Sequence, residues 1–258
     1  MFLADTHIHI YACHSAADLI TGAVSRLRTA AGHPDAPCLL TLTETSRDHA
    51  FETIKNGSHP TLQNAEVIPT QEEAAIRIRL AELDCTLLAG RQIVTRERLE
   101  LLALGTTQTF EDGLPIYEAF RCIQESGAVP VLAWAPGKWL GKRASVVQEC
   151  ITACGQDLWL GDSSLRAKGW PTPGPFRLSH RPVLAGSDPL PLPGEEQQAG
   201  TYGLMLQTDF NPDMPFASFK AAISGDPDQV RPLGNRNSAV GMFRRLAAHH
   251  RHKGEPSG

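Results

Sequence analysis

A rhythm in the sequence constrains the fold most. Short apolar runs of strand length alternate with stretches whose apolar residues recur at helical spacing. The runs lie at 1–10, 38–43, 129–134, 158–161 and 183–187. Between them, Ser15 can cap a helix with the stripe Leu19, Ile20, Ala23, Val24 and Leu27, and Gly32 can end it. Ser46 can cap a second helix carrying Asp48, His49, Phe51 and Ile54. Pro115 opens a third with Ile116, Ala119, Phe120 and Ile123, closed by Gly127. A fourth spans 146–154.

From 66 to 105 the period shifts. Ile76, Ile78 and Leu80 alternate with Arg77 and Arg79, which predicts two barrel strands plus an inserted hairpin. Helix is the competing reading for 71–83. Alternating strands and helices imply a parallel sheet, and about seven strands fit the rhythm. The expected fold is a single-domain distorted (β/α)7 TIM-like barrel. A doubly wound sheet would want a glycine-rich phosphate loop after its first strand, where this chain has His14 and Ser15. No internal repeat or second core is visible. The domain is expected over 1–248, with a frayed basic tail over 249–258.

A net charge of −4 argues against a nucleic-acid partner. No apolar run reaches membrane-spanning length, and no charged-then-apolar leader precedes the first strand, so a cytoplasmic protein without a membrane partner is expected. The six cysteines have no zinc-ribbon spacing and read as reduced packing residues.

Barrels of this kind carry their chemistry at the carboxyl ends of strands. His7 and His9, at i and i+2, share a strand face with Leu3 and Asp5, while Phe2, Ala4, Thr6, Ile8 and Ile10 point the other way. Two imidazoles so placed can grip one metal ion. The polar residues at the other predicted strand ends are Glu44, Gln92, Trp134, Asp162 and Asp188. Two histidines and one or more of these carboxylates suit Zn²⁺, Mn²⁺ or Fe²⁺, with His7 and His9 as candidate metal ligands. Asp188, Asp162 and Glu44 are the candidate catalytic acids and bases. Gln92, Trp134 and the basic loop residues Lys138, Lys142 and Arg143 are candidates for holding a substrate, the basic ones through a phosphate.

Each has a structural alternative. Asp188 can cap a turn before Pro189, and Glu44 and Asp162 can cap helices or loops. Trp134 can pack in the core, and the basic loop can be simply solvated. His14 is a further ligand candidate or a loop residue. Glu195 and Glu196 fall where a lid would lie.

These residues resemble the polymerase-and-histidinol-phosphatase (PHP) superfamily. Asp5-Thr6-His7-Ile8-His9 is similar to its opening His-x-His. Leu42-Thr43-Glu44-Thr45 sits where the family has Thr-Asp-His. Ala89-Gly90-Arg91-Gln92-Ile93 resembles Pro-Gly-x-Glu-Ile. The segments 131–137 and 185–190 resemble Ala-His-Pro-Gly and Gly-Ser-Asp-x-His. The resemblance implies a seven-stranded β/α barrel and a metal-dependent hydrolase, phosphoesterase-like or amidohydrolase-like. Thr45, Gln92, Trp134 and Leu190 replace three histidines and a bridging glutamate of the family's metal cluster, and His7, His9 and Asp188 are the residues that the resemblance matches directly to its metal ligands. The implied site is thus one divalent metal acting on a small, phosphorylated substrate. The alternative is a catalytically degenerate barrel that binds a ligand or partner protein.

Overall fold

The computed structural model describes residues 1–179 and 181–254. In chain order the elements are β1 (Phe2–Ile8), α1 (Ala16–Ala31), β2 (Cys38–Glu44), α2 (Ala50–Lys55), β3 (Glu66–Pro69), β4 (Ala75–Leu80), β5 (Leu83–Val94) and β6 (Glu100–Leu104). Then come α3 (Ile116–Glu125), β7 (Val129–Ala133), α4 (Lys142–Cys154), β8 (Trp159–Ser163), α5 (Gly174–Leu178) and β9 (Leu184–Gly186). The chain continues through β10 (Tyr202–Leu206), α6 (Pro215–Ser224), β11 (Val230–Gly234) and α7 (Ala239–Gly254).

All eleven strands join one sheet, whose main path runs β11-β10-β1-β2-β5-β6-β7-β8-β9. Helix-bearing connections link the parallel pairs β1–β2, β2–β5, β7–β8 and β8–β9, as parallel crossovers require. The expected parallel sheet is corrected at two places. β6 is antiparallel to both β5 and β7, because a tight turn at 95–99 joins it directly to β5. β10 and β11 add antiparallel strands beside β1, in a region without an expected strand. The β3–β4 hairpin is the inserted one.

The sheet curls into a nearly closed barrel. β9 approaches β1 without a regular ladder, through Thr6 Oγ1 donating to Ala185 O at 3.0 Å and Asp188 N–H donating to His7 O at 2.9 Å. Inside, Phe2, Ala4, Leu39, Leu88, Leu102, Val131, Leu184 and Leu204 form one cluster drawn from seven strands. Phe219 and Ile223 of α6 join it and close the end where the parallel strands begin. Outside, α1 and α2 cover one arc with Leu19, Ile20, Val24, Leu27, Phe51 and Ile54. α3 and α4 cover another with Ile116, Ala119, Ile123 and Val147. The opposite end, where the parallel strands finish and β6 begins, remains the mouth.

Local capping follows the sequence at α1, where Ser15 Oγ accepts from Asp18 N–H at 3.3 Å and Gly32 adopts φ 69°. Ser46 does not cap α2; the Glu44 carboxylate does, accepting the Phe51 N–H at 2.6 Å. The tail expected to fray continues as helix in α7 to Gly254. Residues 255–258 of that tail lie outside the described residues. No described helix is long and apolar enough to cross a membrane.

Candidate metal centre

β1 builds the site by breaking its own alternation. Its partner register runs Asp5↔Leu40 and then Ile8↔Leu42, so β1 holds one more residue than β2 across this interval. Such a bulge re-aims the side chains that follow it. Phe2 and Ala4 face the barrel interior and Leu3 the helix layer, whereas after the bulge Ile8 and Ile10 face the helix layer. His7 and His9 therefore turn to the mouth. The expected single face shared by Leu3, Asp5, His7 and His9 is corrected accordingly.

The His7 and His9 Nε2 atoms stand 3.0 Å apart. Asp188 Oδ1 lies 3.6 Å from the first and 3.8 Å from the second. Gln92 Oε1, from β5, lies 3.1 Å from His7 Nε2. Ligand atoms of His7, His9 and Asp188 all fall within 4.8 Å of one another, the one such group among the described residues. All three are almost wholly buried.

Asp188 holds its place at a cost. Its φ is 52°, a left-handed conformation unusual for a residue with a side chain. Backbone bonds keep it there: its N–H donates to His7 O, and Arg245 Nη2 donates to its carbonyl at 3.1 Å. Arg245, from α7, also pairs with the buried Glu195, Nε to Oε1 at 2.9 Å, and donates to Ser164 Oγ at 3.0 Å. Asp5 ties the same strands together. Its carboxylate accepts from Ser187 N–H and Gly200 N–H, each at 2.9 Å.

Burial pushes the Asp188 carboxyl upward, with the neighbouring His7 opposing. Burial, then the charges of His7 and His14, hold His9 well below the usual imidazole range, so its ring is neutral. Asp5 is raised to about 6 by burial, against its backbone hydrogen bonds.

The donor set fits one divalent ion. Two ligand atoms each about 2.0–2.1 Å from an ion lie roughly 3.0–3.5 Å apart, and never more than about 4.2 Å. The nitrogen pair meets the first range and the carboxylate distances meet the second. A neutral His9 offers a free lone pair. Two nitrogens and two oxygens converge in this buried hollow, and one cation among them would satisfy all four. Against that, His9 Nδ1 is buried and has no hydrogen-bond partner, where metal-bound histidines usually donate to one.

The other sequence candidates fall elsewhere. Glu44 shares the outward face of Leu40 and Leu42, pairs with Arg91 at 2.9 Å and caps α2. Both Asp162 oxygens are taken, by Arg166 Nε and Nη2 at 2.7 and 2.6 Å and by the Tyr202 hydroxyl at 3.0 Å. Neither carboxylate belongs to the group of ligand atoms that converges with the histidines. Trp134 packs in the α3–α4 core cluster. His14 is buried, and its Nε2 lies 3.1 and 3.2 Å from the carbonyls of Leu190 and Leu192, which it pins. Glu195 belongs to the Arg245 pair rather than to a lid. Lys138 is engaged by Glu100 at 2.8 Å, while Lys142 and Arg143 border a separate open hollow.

Two mouth residues escaped the sequence reading. Tyr11 stacks on His9, with ring centroids 5.2 Å apart at 18°, and meets His14 edge-on. Burial and the Asp188 charge hold its phenol above the usual range. Glu100 starts β6 at the mouth, because β6 runs opposite to its neighbours. The turn at 95–99 was the available signal.

No protein-family model and no curated protein matches this sequence. Among solved structures, PsfC from Pseudomonas syringae PB-5123 aligns over 98% of both chains, with a TM-score of 0.55 and 13% identity. The lesion-specific endonuclease PfuEndoQ from Pyrococcus furiosus gives 0.47 and 15%, over 87% of this chain and 56% of its own. Endonuclease Q in complex with a 27-mer duplex substrate with an abasic lesion at the active site gives 0.49 and 12%, with the same coverage. This chain thus spans little more than half the length of the endonucleases. The likeness to PsfC is one of fold. The expectation of no nucleic-acid partner is overturned by that complex, in which a chain that this one matches in part is bound to a 27-mer duplex.

Proposed function

We propose that this chain is a PHP-like metal-dependent hydrolase, one barrel domain over 1–248, holding a single divalent ion through His7, His9 and Asp188. The observation that carries the reading is the convergence of two imidazole nitrogens and a carboxylate oxygen, from strands far apart in sequence, at the mouth of a nearly closed barrel. When bound, such an ion supplies Lewis-acid chemistry and lowers the pKa of water to about 7.

The protein's own groups do the rest. Gln92 Oε1 stands beside His7 Nε2 and fixes the polar side of the hollow. Tyr11 covers His9 and screens it from solvent. The left-handed Asp188 backbone and the Arg245 clamp hold the carboxylate against the rings. The substrate class that suits this set is a phosphoester.

The test is hydrolysis of p-nitrophenyl phosphate and bis-p-nitrophenyl phosphate by protein supplied with Mn²⁺ or Zn²⁺. Turnover that His9→Ala removes, with the circular dichroism spectrum kept, supports the reading. Turnover that His9→Ala leaves intact, or its absence with every metal offered, overturns it.

A further inference from the structure

The open hollow bordered by Arg96, Glu97, Arg98, Leu140, Lys142 and Arg143 has a volume of about 380 Å³. It lies at the mouth end of the barrel, since one wall is the β5–β6 turn and the other is the connection that follows β7. Four cations face one acid across it. One oxygen of that acid is engaged: Glu97 Oε2 accepts the Ile116 N–H at 3.1 Å, at the start of α3.

The four cations are left without an acidic partner. Arg96, Arg98 and Lys142 make no side-chain hydrogen bond or ion pair among the described residues, and Arg143 donates only to the Gly137 carbonyl at 2.8 Å. The first turn of α4 holds no acidic residue to neutralise Lys142 and Arg143. The turn that presents the arginines is fixed. Arg98 N–H donates to Thr95 O at 2.8 Å, Leu99 N–H donates to Thr95 Oγ1 at 3.3 Å, and Arg98 sits at φ 61°. In a chain of net charge −4, these four like charges repel one another, and the single Glu97 carboxylate offsets only part of them.

We propose that this hollow is an oxyanion site for a phosphorylated small molecule, with Arg96 and Arg98 as the bidentate donors and Lys142 and Arg143 as the facing charges. Guanidinium groups match the geometry of phosphate oxygens, and charge-assisted bonds to them are the strong ones. Its position beside the mouth makes it a second anchor for a substrate reaching His7, His9 and Asp188. That role rests on the hydrolase reading; the binding itself does not.

The test titrates inorganic pyrophosphate into the full chain by calorimetry at low salt. Wild-type and His9→Ala proteins are expected to bind it alike, and the Arg96→Ala/Arg98→Ala double variant roughly tenfold or more weakly, in either background. Both arginines are exposed and unpaired, so the double variant is expected to melt with the wild type. Equal binding by the double variant overturns the site. Binding lost in His9→Ala but kept in the double variant assigns the anion to the metal centre and also overturns it. A short oligonucleotide that binds where pyrophosphate does not overturns the small-molecule assignment.

Discussion

Gly186→Ala tests how closely the two ends of the barrel must meet. A Cβ at residue 186 would overlap the His7 Cβ and lie 2.7 Å from the His7 nitrogen and 3.0 Å from its Cα. Non-bonded carbons rest at about 3.5–4.0 Å. The obstacle is largely backbone, so β9 must retreat by at least about 0.5 Å. Asp188 follows two residues later, with Oδ1 now 3.6 and 3.8 Å from the two imidazole nitrogens. A retreat of that size brings these separations to roughly 4.1 and 4.3 Å, at and beyond the limit of about 4.2 Å for two ligands on one ion. Overpacking of this kind costs about 3 kcal/mol, which corresponds to about 6–12 °C in a chain of this size. Calorimetric melting and Zn²⁺ titration read both effects, and metal affinity is expected to fall at least about tenfold. Gly161→Ala is the control, because its Cβ would meet a side-chain methyl of Val131 at 3.1 Å, which can shift. A Gly186→Ala protein with wild-type melting and affinity refutes the reasoning.

Other substitutions probe the supports. Arg245→Ala strands the buried Glu195 carboxylate and frees the Asp188 carbonyl, with an expected loss of about 3–5 kcal/mol in urea denaturation; replacing Glu195 as well by leucine should recover part of it. Glu44 is raised from 4.5 to about 7, chiefly by burial, with the Phe51 N–H and Arg91 opposing. The folded state therefore keeps its proton longer than the unfolded chain, and stability falls as pH rises from about 4.5 to 7, then levels. Glu44→Gln should flatten that slope in denaturant midpoints taken across the range; an unchanged slope contradicts the assignment.

Much of the frame could be read from residue order, because it rests on local chemistry. The Ser15 cap, the Gly32 stop and the apolar stripes of α1 and α3 act within a few residues, and the structure follows them. The polar strand ends of β1, β2 and β8 were legible for the same reason. Their directions were not. The bulge between Asp5 and Ile8 depends on the partner strand, and it alone turns His7 and His9 into the mouth. Glu44 was visible as a strand-end acid, but its face follows from the register of β2 against the outer helices. Asp162 was visible too, yet Arg166, four residues on, and the distant Tyr202 claim both its oxygens. β10 and β11 hide because each is a short run held by antiparallel pairing and core packing with distant segments.

Anomalous scattering from a crystal of the protein grown with Zn²⁺ tests the central claim most directly. One peak is expected at bonding distance from His7 Nε2, His9 Nε2 and Asp188 Oδ1, absent in the His9→Ala protein. A crystal with no peak there, or a peak that persists in the variant, contradicts it.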